Sequence, residues 1–194
     1  MNTVFVDVDT QIDFLFPAGA LYVPGAEKIV PVVTALNRHA ARSGSTVLST
    51  MDAHAEDDAE FALWPAHCVA GTVGQRKPES TLLEGRIIVP YARGAVFSLD
   101  SCQQVIVEKQ NLNLFTNANL PFVLDHLQAQ RFVVYGVVTE ICVRYAAFGL
   151  LRLGKLVELV TDAVRALDGE KAREMFDEFA AAGGLLTTSA AVMG

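Results

Sequence analysis

The sequence predicts an α/β fold with three layers, in which helices cover both faces of a mostly parallel central sheet. Segments with a strand pattern alternate along the chain with segments of helical periodicity, as in parallel strands joined by crossover helices. The clearest strand is the unbroken apolar run at residues 132–135, which is typical of a strand buried on both faces. From Thr139 the apolar positions follow helical spacing, and Gly154 ends that helix.

The remaining elements follow the same alternation. Further strands are predicted at residues 3–8, 46–50, 86–89, 104–108, 156–160 and 184–188, with 86–89 as a short edge strand. Further helices are predicted at residues 26–42, 120–128 and 168–182. Residues 51–84 show little periodicity and many polar residues, so we expect a long functional loop there.

The bulk composition favours one globular domain over residues 1–194. The chain is 52% hydrophobic and 19% charged, which supports a full core. No apolar stretch is long enough to cross a bilayer, and the acidic N-terminal strand pattern argues against a signal peptide. We therefore expect no membrane association.

Charge and cysteine content narrow the class further. A net charge of −7 and a pI near 5.0 argue against a nucleic-acid partner. The three cysteines, Cys68, Cys102 and Cys142, lack metal-type spacing, which predicts reduced thiols and a cytoplasmic location. None of these features decides whether the protein forms a homo-oligomer.

Chemically active side chains occur where successive strands end. Asp9, Asp52 and Lys109 each come at or just past a predicted strand end, and Cys142 lies in the helical turn after the next strand. The carboxyl ends of parallel strands share one edge of a sheet, so these side chains are expected in one crevice. Taken singly, such an acid is more often a cap or turn residue, and such a lysine is usually solvated. Together they supply a nucleophile, a base and a charge partner.

Cys142 is the candidate nucleophile. A position in the first helical turn, near unpaired amides and the positive end of the helix dipole, favours a thiolate. The competing interpretation is a small buried thiol that only fills space, which is the commoner role of an isolated cysteine in an apolar run. Its place at the carboxyl end of a central strand favours the reactive role.

The long loop contains a second group of candidate residues. Asp52 and His54 lie on the same side if the strand conformation continues, and Glu60 and His67 follow. Two imidazoles with carboxylates and open positions suit one divalent transition metal, with Zn²⁺ as the first choice and Fe²⁺ or Mn²⁺ as alternatives. An Asp-x-His pair alone is more often explained by polar surface residues, and the later His67 makes the pattern specific.

Five motifs occur in order along nearly the whole chain. They are Asp9-Thr10-Gln11-Ile12-Asp13-Phe14, Asp52-Ala53-His54, Trp64-Pro65-Ala66-His67-Cys68 with Gly71-Thr72-Val73-Gly74, Glu108-Lys109, and Gly136-Val137-Val138-Thr139-Glu140-Ile141-Cys142-Val143. In this order they resemble the isochorismatase-like cysteine hydrolases and, within them, the nicotinamidases. The resemblance implies a catalytic triad of Asp9, Lys109 and Cys142.

The resemblance also implies the surroundings of the triad. It implies a cis peptide between Val137 and Val138 that turns the Val138 amide, with the amide of Cys142, into an oxyanion hole. Phe14 and Trp64 would form walls of the substrate pocket. The implied metal ligands are Asp52, His54 and His67, with Glu60 in the place of a fourth.

Three positions depart from the pattern of the nicotinamidases. Asp7 adds a second acid on the strand face of Asp9, where the family usually has an apolar residue, and it would need a buried partner. Leu112 stands where several nicotinamidases have an aromatic residue, and Ile141 where they often have a polar or aromatic one. The last two departures concern the substrate rather than the type of reaction.

These features lead to a hypothesis for function. Asp9 takes the proton of Cys142, the thiolate attacks nicotinamide, and a thioester is hydrolysed to nicotinate after ammonia leaves, which is a step of NAD salvage. The alternatives are another amidase of this superfamily acting on a carbamoyl or ureido substrate, and a metal-binding or thiol-sensing module without turnover. A flavodoxin-like nucleotide binder is disfavoured because no glycine-rich loop follows the first strand.

Overall fold

The computed structural model describes residues 1–194 and contains one seven-stranded sheet in which all neighbouring strands are parallel. The strands are β1 (Thr3–Val8), β2 (Thr46–Asp52), β3 (Arg86–Val89), β4 (Gln104–Lys109), β5 (Arg131–Val137), β6 (Leu156–Arg165) and β7 (Leu185–Thr187). Their order across the sheet is β3-β4-β2-β1-β5-β6-β7. The winding direction therefore reverses between β1 and β5, which is where open α/β sheets form a crevice.

Helices cover the sheet and complete the three predicted layers. They are α1 (Ile12–Leu15), α2 (Val30–Arg42), α3 (Leu120–Leu127), α4 (Arg144–Arg152), α5 (Gly169–Ala181) and α6 (Ser189–Met193). One layer is built on α2, which packs on β1 and β2 and contacts α6, and the other on α4, which packs on β5 and β6 and contacts α5. The predicted fold class is confirmed, and the sheet is entirely rather than mostly parallel.

The core forms where the apolar faces of these elements meet. In α2 the residues Val33, Leu36 and Ala40 are buried at helical spacing, and the central strands β1 and β5 are buried almost throughout. The predicted helix at 26–42 begins as a short 3₁₀ turn, Ala26–Ile29, and Pro31 then occupies the first turn of α2, where its missing N–H is tolerated. No helix combines the length and the apolar character needed to cross a bilayer.

Four strands run further than predicted, namely β2, β4, β5 and β6, and the extensions of β2 and β4 matter for the site. We expected Asp52 and Lys109 just past their strands, and this is wrong, because each is the last residue of its strand and the two are register partners across β2 and β4. The backbone pairing continues one step further, from Ala53 N to Lys109 O at 2.9 Å. The extension places the two side chains next to each other on neighbouring strands.

Short elements were also missed. The long loop contains 3₁₀ turns at Ala59–Ala62 and Glu79–Thr81, and neither α1 nor α6 was predicted. All of these elements are at most five residues long. Such lengths are too short for apolar periodicity to indicate a helix.

The ends of β1 and β5 approach each other closely at the switch point. Gly136 pairs with Val8, and a Cβ atom at Gly136 would overlap the Val8 backbone. Its φ of 120° also requires glycine. The next peptide, between Val137 and Val138, is cis, as the resemblance implied. The chain then turns directly into the segment that contains Cys142.

Replacing Gly149 by a larger residue should destabilise the protein, although Gly149 lies inside a helix. Alanine normally stabilises a helix interior by about 1 kcal/mol relative to glycine, but a Cβ at Gly149 would overlap the ring of Phe115. We expect Gly149→Ala to lower the free energy of unfolding by about 1–3 kcal/mol, measured by urea denaturation. Gly169→Ala is the control, since its Cβ would have no neighbour closer than 4.0 Å. Equal stability of the two variants would contradict this packing argument.

Candidate active site

The four side chains predicted at the strand ends meet around the ammonium group of Lys109. Its Nζ lies 2.9 Å from Asp9 Oδ2 and 3.7 Å from Cys142 Sγ. It also donates a short hydrogen bond to Asp52 Oδ1. All four residues are buried. The ammonium therefore compensates two carboxylates that are shielded from solvent.

Asp9 is oriented by Thr50, near the end of β2. Thr50 Oγ1 accepts a hydrogen bond from Asp9 N at 3.0 Å and donates one to Asp9 Oδ1. The other oxygen, Oδ2, is buried and accepts no hydrogen bond, because its contact with Lys109 is an ion pair outside hydrogen-bond geometry. Asp9 Oδ2 is therefore free to accept a proton from a neighbouring group.

Cys142 lies in a π-helical turn, Thr139–Val143, that leads into α4. The expectation that this position favours a thiolate is wrong for the site as it stands. Burial raises the pKa of the Cys142 thiol well above its ordinary value, and although Lys109 lowers this pKa, the negative charges of Asp9 and Asp52 raise it again. Burial and the neighbouring carboxylates thus favour the thiol over the thiolate.

The charges of the remaining groups are coupled. Burial tends to lower the pKa of Lys109, but Asp52 and Asp9 hold it well above its ordinary value, so the lysine is charged. Burial raises the pKa of Asp52 to about 7, against the effect of Lys109. With both carboxylates ionised, one ammonium faces two negative charges. A second cation near Asp52 would relieve this imbalance.

The predicted metal ligands are also brought together. One ligand atom each from Asp52, His54 and His67 lies within 4.8 Å of the others, and all three residues are buried. His54 Nδ1 is hydrogen-bonded to Asp58 Oδ2 at 2.9 Å, and His67 Nδ1 to the carbonyl of Pro65 at 2.7 Å. Both imidazoles are thereby oriented with Nε2 toward Asp52 and Glu60.

The donor atoms of this group fit a divalent transition metal. His54 Nε2 is buried without a hydrogen-bond partner, which is costly unless another species occupies the site. Burial and nearby His54 lower the pKa of His67, so this imidazole is neutral and able to coordinate at neutral pH. The two imidazoles and one carboxylate match a site that keeps an open position.

Glu60 lies beside this group rather than inside it. Its Oε1 is 3.9 Å from His67 Nε2, and its side chain is 14% exposed. It lies in the 3₁₀ turn Ala59–Ala62, where Asp58 Oδ1 accepts the amide of Glu60 at 2.9 Å. Asp58 thus fixes both the turn that holds Glu60 and the ring of His54.

Apolar side chains enclose the space above Cys142. The predicted walls Phe14 and Trp64 both line this pocket. Residues 137 and 138 line it too, so the cis peptide faces the same space as the thiol. The other apolar lining residues are Leu21, Leu112, Ile141 and Leu167. The pocket suits a flat apolar group whose reactive end points to Cys142.

Several supporting residues were not predicted. Gln11 donates to the carbonyls of Asp52 and Gln75 and accepts from Asp52 N. Glu140 Oε1 accepts the amides of Leu167 and Asp168, which holds Leu167 over the pocket. The sequence contains only weak signals for supporting residues of this kind. For Gln11 the signal is its place in the first motif, and for Asp58, which orients His54, it is the spacing of four residues between the two.

Asp7 has the buried partner that the sequence required. Its Oδ2 lies 3.2 Å from Lys77 Nζ, and both side chains are buried. Thr10 Oγ1 donates to Asp7 Oδ1 at 2.6 Å and Ser49 Oγ to Asp7 Oδ2 at 3.1 Å. Asp7 therefore belongs to a separate ion pair and does not contact Lys109.

Comparisons with known proteins agree with this geometry. The family description "Isochorismatase domain" matches residues 94–191. The chain is 26% identical to the nicotinamidase of Escherichia coli (strain K12) over 204 residues, covering 94% of this chain and 93% of that protein.

Solved structures are similar over almost the full length. A pyrazinamidase of Pyrococcus horikoshii, solved in complex with zinc, is 28% identical with a TM-score of 0.80, covering 97% of this chain and 99% of its own. An N-carbamoylsarcosine amidase from Thermoplasma acidophilum is 25% identical with a TM-score of 0.78, covering 97% of each chain.

Removing the ammonium should destabilise the fold strongly. Lys109→Met would leave Asp9 and Asp52 facing each other without a counter-charge, which typically costs about 3–5 kcal/mol of the free energy of unfolding. Urea denaturation measures this loss. Lys171→Met is the control, since its ion pair with Asp168 is largely exposed and should contribute nothing measurable. The idea fails if the Lys109 variant is as stable as the control.

Proposed function

The chain belongs to the isochorismatase family and is an amidohydrolase, and from this premise we propose that it is a nicotinamidase, converting nicotinamide to nicotinate and ammonia. The proposal rests on one observation above all. The Asp9–Lys109–Cys142 cluster and the Asp52–His54–His67 group meet at one apolar pocket and share the carboxylate of Asp52. A hydrolytic nucleophile and a group that can hold a ring-binding metal are thus adjacent.

The proposed reaction begins with proton transfer. Asp9 Oδ2 takes the proton of the Cys142 thiol, and Lys109 keeps the developing thiolate favourable by its charge. The thiolate attacks the amide carbonyl. Asp9 then gives the proton to the departing ammonia, and water hydrolyses the thioester on Cys142.

The negative oxygen that forms during attack needs donors. We assign this role to the backbone amides of Val138 and Cys142, which belong to residues lining the same pocket. A donor of this kind contributes about 3–4 kcal/mol to transition-state stabilisation where it has been measured by mutation.

The proposed cofactor is one divalent transition metal, with Zn²⁺ first and Fe²⁺ or Mn²⁺ as alternatives. Asp52, His54 and His67 would hold it, and Glu60 would lie beside them. When bound, it supplies a Lewis acid able to bind a ring nitrogen of the substrate and fix its orientation. Phe14 and Trp64 would hold the two sides of the ring.

The proposal extends to the whole chain. Residues 1–194 are proposed to act as one catalytic domain on a small-molecule amide, within NAD salvage and in the cytoplasm. The sheet supports the single domain, because its strands run from Thr3 to Thr187 and the site takes residues from the ends of β2 and β4 and from the segments that follow β1 and β5.

The second candidate is an amidase for a carbamoyl or ureido substrate. It is favoured by the similarity to the N-carbamoylsarcosine amidase. Substrates of this type that carry a carboxylate would need a cation in the pocket. No lysine or arginine is among the residues that line the pocket, and Lys109, which contacts Cys142, already faces two carboxylates. A neutral aromatic amide suits this pocket better.

Replacing Cys142 tests the nucleophile, and a panel of amides tests the substrate. Cys142→Ala should lower the rate of ammonia release from nicotinamide by roughly 10⁴-fold or more, while Cys68→Ala and Cys102→Ser keep substantial activity.

The panel of amides contains nicotinamide, pyrazinamide and an N-carbamoyl amino acid. Ammonia released from the carbamoyl compound alone would reject the nicotinamidase proposal, and substantial activity of Cys142→Ala would reject the nucleophile.

Replacing His54 tests the metal. The purified protein should contain one metal ion per chain by elemental analysis. His54→Ala should lose most of it, and Asp58→Asn should weaken binding about 10–100-fold. Exposed His126 provides the control variant His126→Ala, which should keep the metal. In His54→Ala, KM for nicotinamide should rise more than kcat falls, since ring orientation is lost.

The metal should also bind less tightly in acid. Asp52 must be ionised to coordinate, and its pKa in the metal-free protein is raised to about 7. Protons therefore compete with the metal as the pH falls below that value. Undiminished activity of the metal-free protein would contradict the metal assignment but not the proposal that the protein is a cysteine hydrolase.

A further inference from the structure

Two segments that carry functional residues are fastened side by side. Residues 10–13 follow Asp9, and residues 74–77 lie further along the loop that contains His67. Backbone hydrogen bonds join Asp13 N to Gly74 O at 3.0 Å and Ile12 N to Arg76 O at 2.8 Å. The Gln11 side chain adds a bond to the carbonyl of Gln75 at 2.8 Å. These contacts form successive rungs between the two segments.

The last rung is a buried ion pair. Lys77 Nζ donates to Thr10 Oγ1 at 2.9 Å and to Asp7 Oδ2 at 3.2 Å. Thr10 Oγ1 in turn donates to Asp7 Oδ1 at 2.6 Å. The Thr10 hydroxyl thus accepts from the lysine and donates to the aspartate, which leaves it a single orientation. All three residues are buried.

The residue next to Thr10 needs this support. Asp9 has a φ of 47°, a left-handed conformation that costs a non-glycine residue about 1–2 kcal/mol. Such a conformation persists when its surroundings over-determine it. Thr50 holds Asp9 from β2. Thr10, on the other side of the Asp9–Thr10 peptide, is held by Lys77 and Asp7.

A buried ion pair is a poor means of stabilising a fold. Desolvation of both charges commonly offsets their attraction, and an apolar pair of similar volume is often as stable. The value of such a pair lies in fixing one arrangement. Here the arrangement it fixes adjoins the residue proposed to remove the thiol proton.

We propose that Asp7, Lys77 and Thr10 are positioning residues for Asp9. Through the Thr10 hydroxyl, the ion pair fixes the Asp9–Thr10 peptide and so directs Asp9 Oδ2 toward Cys142. The inference rests on the proposed function of Asp9 as the base. It gives Asp7, whose buried charge is otherwise unexplained, a role that acts through Asp9 and not on the substrate.

Two hydroxyls that both donate to Asp7 provide a matched pair of variants. Thr10→Val removes the bridge between Lys77 and Asp7 with little change of shape. Ser49→Ala removes the Ser49 donor to Asp7 Oδ2 and leaves Thr10 in place. Thr10→Ser keeps the hydroxyl and serves as the rescue. All are made with Cys102→Ser, so that the half-exposed thiol does not react.

The first readout is alkylation of Cys142 by iodoacetamide, followed by peptide mass spectrometry. The thiol sulfur displaces iodide, and the thiol proton passes to a base, so the rate reports on Asp9 and does not depend on which amide is the substrate. Thr10→Val should react roughly tenfold to a hundredfold more slowly. Ser49→Ala and Thr10→Ser should react at the parent rate.

The second readout is hydrolysis of whichever amide in the panel is turned over. Thr10→Val should lower kcat by a similar factor and leave KM almost unchanged, because the substrate contacts remain. Urea denaturation of each variant separates this effect from stability. If Thr10→Val does not fold, the double variant Asp7→Asn with Lys77→Met, which leaves no unpaired charge, replaces it with the same expectation.

The outcomes distinguish the positioning role of Thr10 from the identity of the proposed substrate. Equal alkylation rates for Thr10→Val and Ser49→Ala would overturn the positioning role, as would a parent protein in which Cys142 reacts no faster than Cys68. Slower alkylation of Cys142 in Thr10→Val alone supports the positioning role, even if no amide in the panel is hydrolysed. The absence of hydrolysis would reject only the proposed substrate.

Discussion

The ammonium group of Lys109 is the interaction on which the rest of the site depends. Asp9, Asp52 and Cys142 are all buried, and each would be costly to ionise there without a cation. Because Lys109 lies within 3.7 Å of all three, the carboxylates can be charged and the thiol can lose its proton. The pKa of Cys142 is nevertheless raised, so the lysine makes a thiolate accessible without making it the resting state. A buried thiol that stays protonated is protected from adventitious oxidation.

The parallel sheet explains why so few supporting elements are needed. Asp52 and Lys109 are register partners, so the hydrogen-bonding of β2 with β4 already sets the spacing of their side chains. Asp9 directly follows β1 and Cys142 lies in the turn after β5, and these two strands flank the reversal of winding. The long loop then has only to carry His54 and His67 across this edge. Its attachment to residues 10–13 through Gly74 and Arg76 achieves that.

The sequence predicted most of the fold and which side chains would lie together at the edge of the sheet. Alternating apolar patterns predicted all seven strands, and the strand-end positions predicted that Asp9, Asp52, Lys109 and Cys142 would converge. What could not be predicted depends on contacts between distant segments. Thr50, Asp58 and Lys77 are ordinary polar residues in the sequence, and only the folded chain places them against Asp9, His54 and Asp7. The ionisation state of Cys142 was mispredicted for the same reason, since burial outweighs the local effect of a helix start.

The shared position of Asp52 links two functions that are usually discussed separately. One of its oxygens contacts Lys109, and the other lies 3.9 Å from His54 Nε2. Any cation held by the histidines therefore competes with the lysine for the same carboxylate. If a metal is bound there, its affinity and the affinity of the Cys142 thiolate for a proton would be coupled through Asp52 and Lys109, and such a coupling acts equally in both directions.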